Sequence, residues 1–355
     1  MTIDPGLADV VVAETRLSHV DGEAGRLVLR GYELEALSEH RFGEVCALLW
    51  EGRLPSDPSR MARALGEGRA WAWEHLPRSA LAMDDGMEAL RAGLAHLSKE
   101  EGLDMLAIGA RLVGAVVVIA AAWDRARRGL PPIAPDPELD HAADSLRMVR
   151  GEAPGAAQAD ALDRYLVTVT DHGMNASTFA ARVVTSTGSD AVSAIVAAVC
   201  ALKGPLHGGA PGPVLDMLDA VGSAANAERW IRGELAAGRR IMGMGHRIYR
   251  VRDPRAAVLE GAIERLSASS SSERLALARA VERAAERVLA ERHPERALRA
   301  NVEFYTAVLL EAVGLDRAQL SPTFAAGRVA GWWAHVLEQR ATGRLIRPKS
   351  RYIGP

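Results

Sequence analysis

Gly204-Pro-Leu-His-Gly-Gly-Ala210 is the stretch on which the reading of this chain turns. The apolar run before it, Ala191–Leu202, predicts a buried helix, with Lys203 in its last turn, where a cation complements the negative end of the helix dipole. Gly204-Pro205 stops that helix, because proline lacks the N–H and clashes with the preceding turn. His207 follows with Gly208 and Gly209 beside it, and backbone without Cβ atoms lets a ligand approach closely. Pro211, Gly212 and Pro213 end the segment before another helical pattern begins. One titratable imidazole thus stands where two helices break.

Around this stretch lie 355 residues with a formal net charge of −2 and 48% apolar side chains, enough for the core of one large domain or two. Alanine is far commoner than the aromatics, and β-branched runs are few, which favours helices. The charge balance gives no pull toward nucleic acid or an anionic membrane. Cys46 and Cys200 both fall in apolar helical patterns and form no metal-ligand cluster, so no metal is demanded. Met1-Thr-Ile-Asp-Pro5 has no secretory pattern, and the longest apolar stretch, 112–123, is too short to span a bilayer. The expected location is the cytoplasm.

One convincing strand signal lies over 15–30, where Leu17, Val20, Leu27 and Leu29 flank the turn-prone pair Asp21-Gly22; it predicts a small hairpin. Apolar residues at helical spacing predict helices over 42–50, 59–73, 87–97, 103–128, 139–148, 160–170, 176–187, 214–221, 227–237 and 302–313. Asn175 and Asn301 are placed as N-caps. Ser270 and Glu273 have capping-box spacing for a helix running to residue 292, after a low-complexity loop over 267–272. Ser321-Pro322 opens the last long helix and Gly343 closes it. The fold class is all-α with one β-hairpin.

The residues that carry chemistry sit at breaks in this pattern. His172, after Asp171, lies at a helix end, where an imidazole can cap carbonyls. His246 stands on Gly243-Met-Gly245, again an imidazole on glycine-rich backbone. Arg247, Arg250, Arg252 and Arg255 make the following segment basic and suited to carboxylates or phosphates. Arg328 has Phe324 and Trp332 at i−4 and i+4, so it occupies an apolar helix face and needs an internal carboxylate or a ligand as partner. Glu303 lies in the first turn of its helix. Arginines to hold a polycarboxylate, imidazoles to polarise carbonyls and a carboxylate to remove a weakly acidic proton together point to carbon–carbon bond formation through an enolate.

These residues lie in motifs that resemble the citrate synthase family, including the 2-methylcitrate synthases. The motifs are Leu17-Ser-His-Val-Asp-Gly22 with Arg30-Gly-Tyr32, Asp171-His-Gly-Met-Asn-Ala-Ser-Thr178, Gly204 to Ala210, Gly243-Met-Gly-His-Arg247, Asp253-Pro-Arg255, Asn301-Val-Glu-Phe-Tyr305 and Arg347-Pro348; they cover nearly the whole chain in family order. The resemblance implies a homodimer whose large helical domain (1–208 and 314–355) carries a smaller helical domain (209–313) that closes over the substrates. It implies that His207 stabilises the enolate of acetyl-CoA, His246 polarises the keto group of oxaloacetate, and Glu303 is the base, where the best-known members have aspartate. His172, Arg255 and Arg328 would hold the oxaloacetate carboxylates, with Arg347 arriving from the other subunit, and Arg247 and Arg250 would meet CoA. Val169 stands where some members have a further histidine. The implied reaction is condensation of acetyl-CoA with oxaloacetate and hydrolysis of citryl-CoA, with CoA as substrate and product rather than a resident cofactor. The competing readings are a 2-methylcitrate synthase using propionyl-CoA and a weakly active CoA-binding regulatory paralogue.

Overall fold

The structure is a computed structural model and describes residues 6–7, 10–97, 102–207, 211–267 and 273–355. The predicted hairpin is present as β1 (Ser18–Asp21) and β2 (Arg26–Leu29), with Ser18 opposite Leu29. A third strand, β3 (Tyr32–Glu33), extends it in the order β1-β2-β3. Its two residues are too few for alternation to be visible in the sequence. The rest of the architecture is helical: α1 (Leu34–Leu37), α2 (Phe42–Glu51), α3 (Pro58–Glu74), α4 (Gly86–Ala95), α5 (Met105–Arg127), α6 (His141–Arg150), α7 (Ala156–Val169), α8 (Ala176–Ser186) and α9 (Ala191–Leu202). After the central stretch come α10 (Pro211–Val221), α11 (Ala227–Ala236), α12 (Pro254–Leu266), α13 (Glu273–Arg292), α14 (Val302–Ala312) and α15 (Leu320–Thr342).

The core is built around α5 and α15. Helix α5 is long and apolar enough to cross a bilayer, but most of it is buried inside the fold against α3, α4, α6 and α15. It is therefore a core helix, and its burial adds hydrophobic stabilisation at the centre. Helix α15 lies across α5, α7, α8 and α9 and is buried along nearly its whole length. That position makes it the backbone against which the chain breaks near the site are held.

Several local expectations are corrected. Helix α10 begins at Pro211, so Pro211 and Pro213 open a helix instead of ending a loop; the first turn has no use for their missing N–H groups. Helix α15 begins at Leu320, continuing a short 3-10 turn (Arg317–Gln319) whose N-cap is Asp316, so Ser321-Pro322 lies inside its first turn. Helix α12 was not expected: Asp253 caps it by accepting from the Arg255 N–H, with Pro254 at the first helical position. Asn175 and Asn301 do cap α8 and α14, accepting from the N–H of Thr178 and of Glu303. The proposed cap Ser270, most of the 267–272 loop, Met1–Pro5, and Gly208, Gly209 and Ala210 with the 208/209 domain boundary lie outside the described residues.

Candidate active site

The turn that follows α7 carries Asp171, His172 and Gly173. Helix α15 reaches its backbone directly, because Gly331 has no side chain: a Cβ there would lie 2.0 Å from the Thr170 carbonyl oxygen. This approach places two buried α15 side chains on the turn. Arg328 donates from Nε to the Val169 carbonyl at 2.5 Å, and His335 Nε2 lies 3.1 Å from Asp171 Oδ1. Arg182 of α8 donates to His335 Nδ1 at 3.1 Å, so the His335 proton sits on Nε2 and is given to Asp171. Burial alone would raise the Asp171 pKa; His335 and Arg328 outweigh it and keep the group a carboxylate. His172 is thereby aimed inward. Its Nε2 meets the Tyr249 hydroxyl at 3.2 Å.

The second wall is the 243–253 loop, stitched to the segment before α14. Gly243 and Gly245 both take positive φ, +71° and +86°, which L side chains resist. With that path the Gly245 N–H bonds Arg299 O at 2.7 Å, the Asn301 N–H bonds Gly243 O at 2.9 Å, and Asn301 Nδ2 donates to Gly245 O at 2.9 Å. One residue, Asn301, thus ties the loop bearing His246 to the helix bearing Glu303. His246 Nδ1 accepts from the backbone N–H groups of Ile248 and Tyr249, and Arg255 Nη2 approaches its Nε2 at 3.4 Å. The His246 and His172 rings are 5.4 Å apart edge to face, with the Tyr249 ring against both.

Asp253 organises the arginine. Its Oδ1 accepts the Arg255 N–H and Nε, its Oδ2 accepts Arg255 Nη2 at 2.7 Å and the Val302 N–H at 3.1 Å. The same carboxylate therefore starts α12, fixes a buried guanidinium and anchors the start of α14.

His207 closes the site from the central stretch. Its Nε2 lies 3.3 Å from the Ser177 backbone nitrogen and 2.8 Å from Ser177 Oγ, an oxygen that also receives Trp332 Nε1. A neutral ring accepting at Nε2 carries its proton on Nδ1.

The electrostatics are those of a cationic, partly desolvated pocket. Burial, then Arg255, lowers His246 to about 4; burial, then Arg328, lowers His207 to about 4; and burial drives His172 well below the usual imidazole value. All three rings are neutral near pH 7. Burial raises Glu303 to about 7, against the opposing pull of Arg255. Burial and the Arg255 charge bring Arg328 down to about 10. Among the described residues no carboxylate pairs with Arg328; its guanidinium lies over the Phe324 ring at 4.7 Å. Two buried arginines that repel each other have a charge suited to an anion.

His172, His246 and Arg255 are thus in contact, and Glu303, Arg328 and His207 are joined to them through the charges of Arg255 and Arg328. Arg247 and Arg250 are exposed on the His246 loop, and Arg347 is exposed in the tail after α15, hydrogen-bonded to none of these residues. Tyr249, Asp253, Asn301 and Ser177 matter to the geometry but were not singled out for it. Asp253 was discoverable as an Asp-Pro helix start; Tyr249 carries no local signal, since only the folded loop turns it toward His172.

The family model for the citrate synthase C-terminal domain matches residues 6–349. A citrate synthase of Haloferax volcanii is 38% identical over 98% of this chain and 95% of its own length. A 2-methylcitrate synthase of Mycobacterium tuberculosis is 37% identical over 99% of this chain and 91% of its own. The crystal structure of citrate synthase from Thermotoga maritima superposes with a TM-score of 0.85 at 33% identity, covering 100% of this chain and 96% of that one. The Thermoplasma acidophilum citrate synthase, solved as a ternary complex with carboxymethyl coenzyme A and oxaloacetate, superposes with a TM-score of 0.86 at 30% identity, covering 100% of this chain and 97% of that one. The chain therefore belongs to the citrate synthase family and is a condensing enzyme that transfers an acyl group.

Proposed function

We propose that the chain is a citrate synthase that condenses acetyl-CoA with oxaloacetate and hydrolyses the resulting citryl-CoA. The observation that carries this reading is the pair Arg255 and Arg328, two buried cations, with the neutral imidazole of His246 against Arg255. Oxaloacetate supplies carboxylates for the arginines and His172, and a keto oxygen for His246. Because His246 Nδ1 is occupied by backbone N–H groups, its proton is on Nε2, where it is given to the keto oxygen as negative charge develops. Glu303 takes a proton from the acetyl methyl group, and His207 Nδ1–H stabilises the enolate oxygen. The nucleophilic carbon then attacks the keto carbon. Neutral imidazoles suit both donations, since neither must lose a proton to solvent first.

Arg247 and Arg250 are proposed to meet the CoA phosphates as exposed cations. Arg347 is proposed to complete the oxaloacetate site of the partner in a homodimer, and the segment 209–313 to close as a smaller domain over the rest. Closure would exclude water from the enolate. The 37% identity to a 2-methylcitrate synthase supports propionyl-CoA as the second reading. One methylene gives only about 1–3 kcal/mol of discrimination, so both thioesters must be compared. Thiol release with oxaloacetate, measured with acetyl-CoA and propionyl-CoA in parallel, tests both. A higher kcat/KM for acetyl-CoA supports the citrate synthase; the reverse assigns the second reading. No release with either leaves only a binder.

A further inference from the structure

The motif Leu17–Gly22 has no part in the chemistry described so far, yet its last residue touches the loop that carries His246. Asp21 Oδ1 accepts from the backbone N–H groups of Glu23 and Ala24, at 3.1 and 2.9 Å, and so shapes the turn between β1 and β2. In that turn the Gly22 carbonyl accepts from the Arg250 N–H at 2.9 Å. Gly22 does not take a positive φ, so its own conformation does not call for glycine. Space does: a Cβ at Gly22 would lie 2.4 Å from the Ile248 carbonyl oxygen. Gly25 repeats the approach, since a Cβ there would lie 2.5 Å from Val251 Cγ2. The hairpin turn is thus seated on residues 248–251. Of these only Tyr249 is buried, so the hairpin gives the run a backbone anchor outside the core. The same run sets His246, whose Nδ1 accepts from the N–H groups of Ile248 and Tyr249. The Ile248 carbonyl and the Tyr249 N–H are two ends of one planar peptide, so fixing the oxygen fixes the donor.

We propose that Gly22 is a positioning residue for His246: the hairpin turn holds the Ile248–Tyr249 peptide so that its N–H points at His246 Nδ1, which keeps the ring in the orientation and the Nε2–H tautomer that the condensation uses. This rests on His246 being the group that polarises the keto oxygen. Gly22 makes no contact with substrate in this role.

Gly22→Ala sets a Cβ against the Ile248 carbonyl, and that oxygen cannot move without turning the Tyr249 N–H. Nitrogen-15 spectra of histidine-labelled protein should then show an Nδ1–H population of His246 that the parent lacks. Turnover with acetyl-CoA and oxaloacetate should fall about tenfold or more, since a misplacement of about 1 Å costs up to ~100-fold. Glu23→Ala, in the same turn but with an exposed side chain, should keep the parental kcat and spectrum. A purely structural role would lower the melting temperature of Gly22→Ala and leave kcat and the His246 signals at parental values, and that result overturns the proposal. An equal loss in Glu23→Ala also overturns it. If Gly22→Ala does not fold, hydrogen exchange in the parent decides: the Arg250 amide should exchange at least about tenfold more slowly than the Arg247 amide, which has no backbone partner among the described residues, and equal rates overturn the proposal. In a His246→Ala background, Gly22→Ala should lower the remaining rate no further; an additional tenfold loss there assigns the turn another role and overturns the proposal. If His246→Ala alone keeps parental turnover, the reading of His246 fails and takes this proposal with it. Parental kcat in Gly22→Ala, with His246→Ala strongly impaired, removes the proposal alone.

Discussion

His246 Nδ1 accepts a hydrogen bond from the backbone N–H of Tyr249, 3.1 Å away. A second, from Ile248, reaches the same atom at 3.0 Å. With Nδ1 committed to accepting, the ring can hold a proton only on Nε2 unless both backbone donors are displaced. Burial and the Arg255 charge add to this by lowering its pKa to about 4. Nitrogen-15 spectra of histidine-labelled protein should therefore show His246 as the neutral Nε2–H tautomer throughout pH 5.5 to 8. Titration of its signal near pH 6.5, or an Nδ1–H tautomer, would contradict the role given to this ring.

The buried groups also make stability depend on pH in opposite senses. Glu303 has a folded pKa raised from 4.5 to about 7, so between those values the folded state binds more protons than the unfolded one. Stability from this group is lost as pH rises from about 4.5 to 7. His207 and His246 have folded values near 4, below the unfolded 6.5, so their contribution is full above pH 6.5 and is lost on acidification toward 4. Glu303→Gln deletes only the first effect. Its stability relative to the parent should rise between pH 5 and pH 8, by about 2 kcal/mol at most after solvent screening. Denaturant melts at those two pH values give the difference; no change between them would show that Glu303 is not raised.

Arg328 gives a test in which affinity and stability separate. Its burial beside Arg255 is unfavourable for its charge, as the depressed pKa of about 10 records. Arg328→Leu should weaken oxaloacetate binding about tenfold or more, since a charge-assisted contact is worth roughly 1.5–3 kcal/mol. Acetyl-CoA binding should change little, and the melting temperature should fall by no more than the loss of the single bond to Val169 O explains. Isothermal titration with oxaloacetate reads the first effect. Unchanged affinity in the folded variant would remove Arg328 from the carboxylate site.

What the sequence shows of this fold depends on how local the determinant is. Helix α9 is legible to the residue because an apolar run ends at Gly204-Pro205, and α8 and α14 because asparagine caps them. Helix α12 escaped because its start, Asp253-Pro254-Arg255, reads as part of a basic loop; the capping carboxylate is spent equally on Arg255, which masks the helix signal. In the site, Arg328 was legible because a charge on an apolar helix face has few explanations. Tyr249 and Asp171 were not, since their roles arise from long-range approach: Gly331 must admit the α7 turn before His335 can meet Asp171. Sequence spacing carries no trace of that contact.

Gly331 can be tested for this reason. Gly331→Ala would put a Cβ within 2.0 Å of the Thr170 carbonyl oxygen, so α15 and the α7 turn must part. Overpacking of this kind typically costs about 1–3 kcal/mol. The displaced turn carries His172, so KM for oxaloacetate should rise together with the loss of stability. A variant as stable and as tight as the parent would show that the turn is not held by this contact.

The dimer assignment has its own test. Arg347 is exposed beyond the end of α15, which Gly343 closes in the left-handed conformation, so the tail can reach away from its own pocket. If Arg347 serves the partner's site, mixing Arg347→Ala subunits with His207→Ala subunits should restore activity, because in some heterodimers one site is intact. Subunit exchange demonstrated by mass, without recovered thiol release, would argue that each chain completes its own site.

The base itself is best examined by changing its length. A carboxyl near pKa 7 is still far too weak to remove a thioester α-proton unaided, so the forming enolate needs a donor, the role proposed for His207. General base catalysis contributes typically ~10²–10⁴-fold, and Glu303→Gln, which keeps size and position, should lose that much turnover while still binding acetyl-CoA. Glu303→Asp withdraws the carboxylate by one methylene, about 1.5 Å. The start of α14 is fixed by Asn301, bonded to the Glu303 N–H and to Gly245 O, and by Asp253, bonded to the Val302 N–H. With the backbone pinned at both points it cannot advance to compensate, so shortening the side chain should lower turnover by up to about 100-fold. Exchange of the acetyl-CoA methyl hydrogens in deuterated water, with a non-reacting oxaloacetate analogue bound, reports proton removal without the condensation step. The exchange rate should fall in the order glutamate, aspartate, glutamine at position 303. Faster exchange in Glu303→Asp than in the parent would mean that the pocket is shaped for the shorter acid, and undiminished exchange in Glu303→Gln would place the base on another residue.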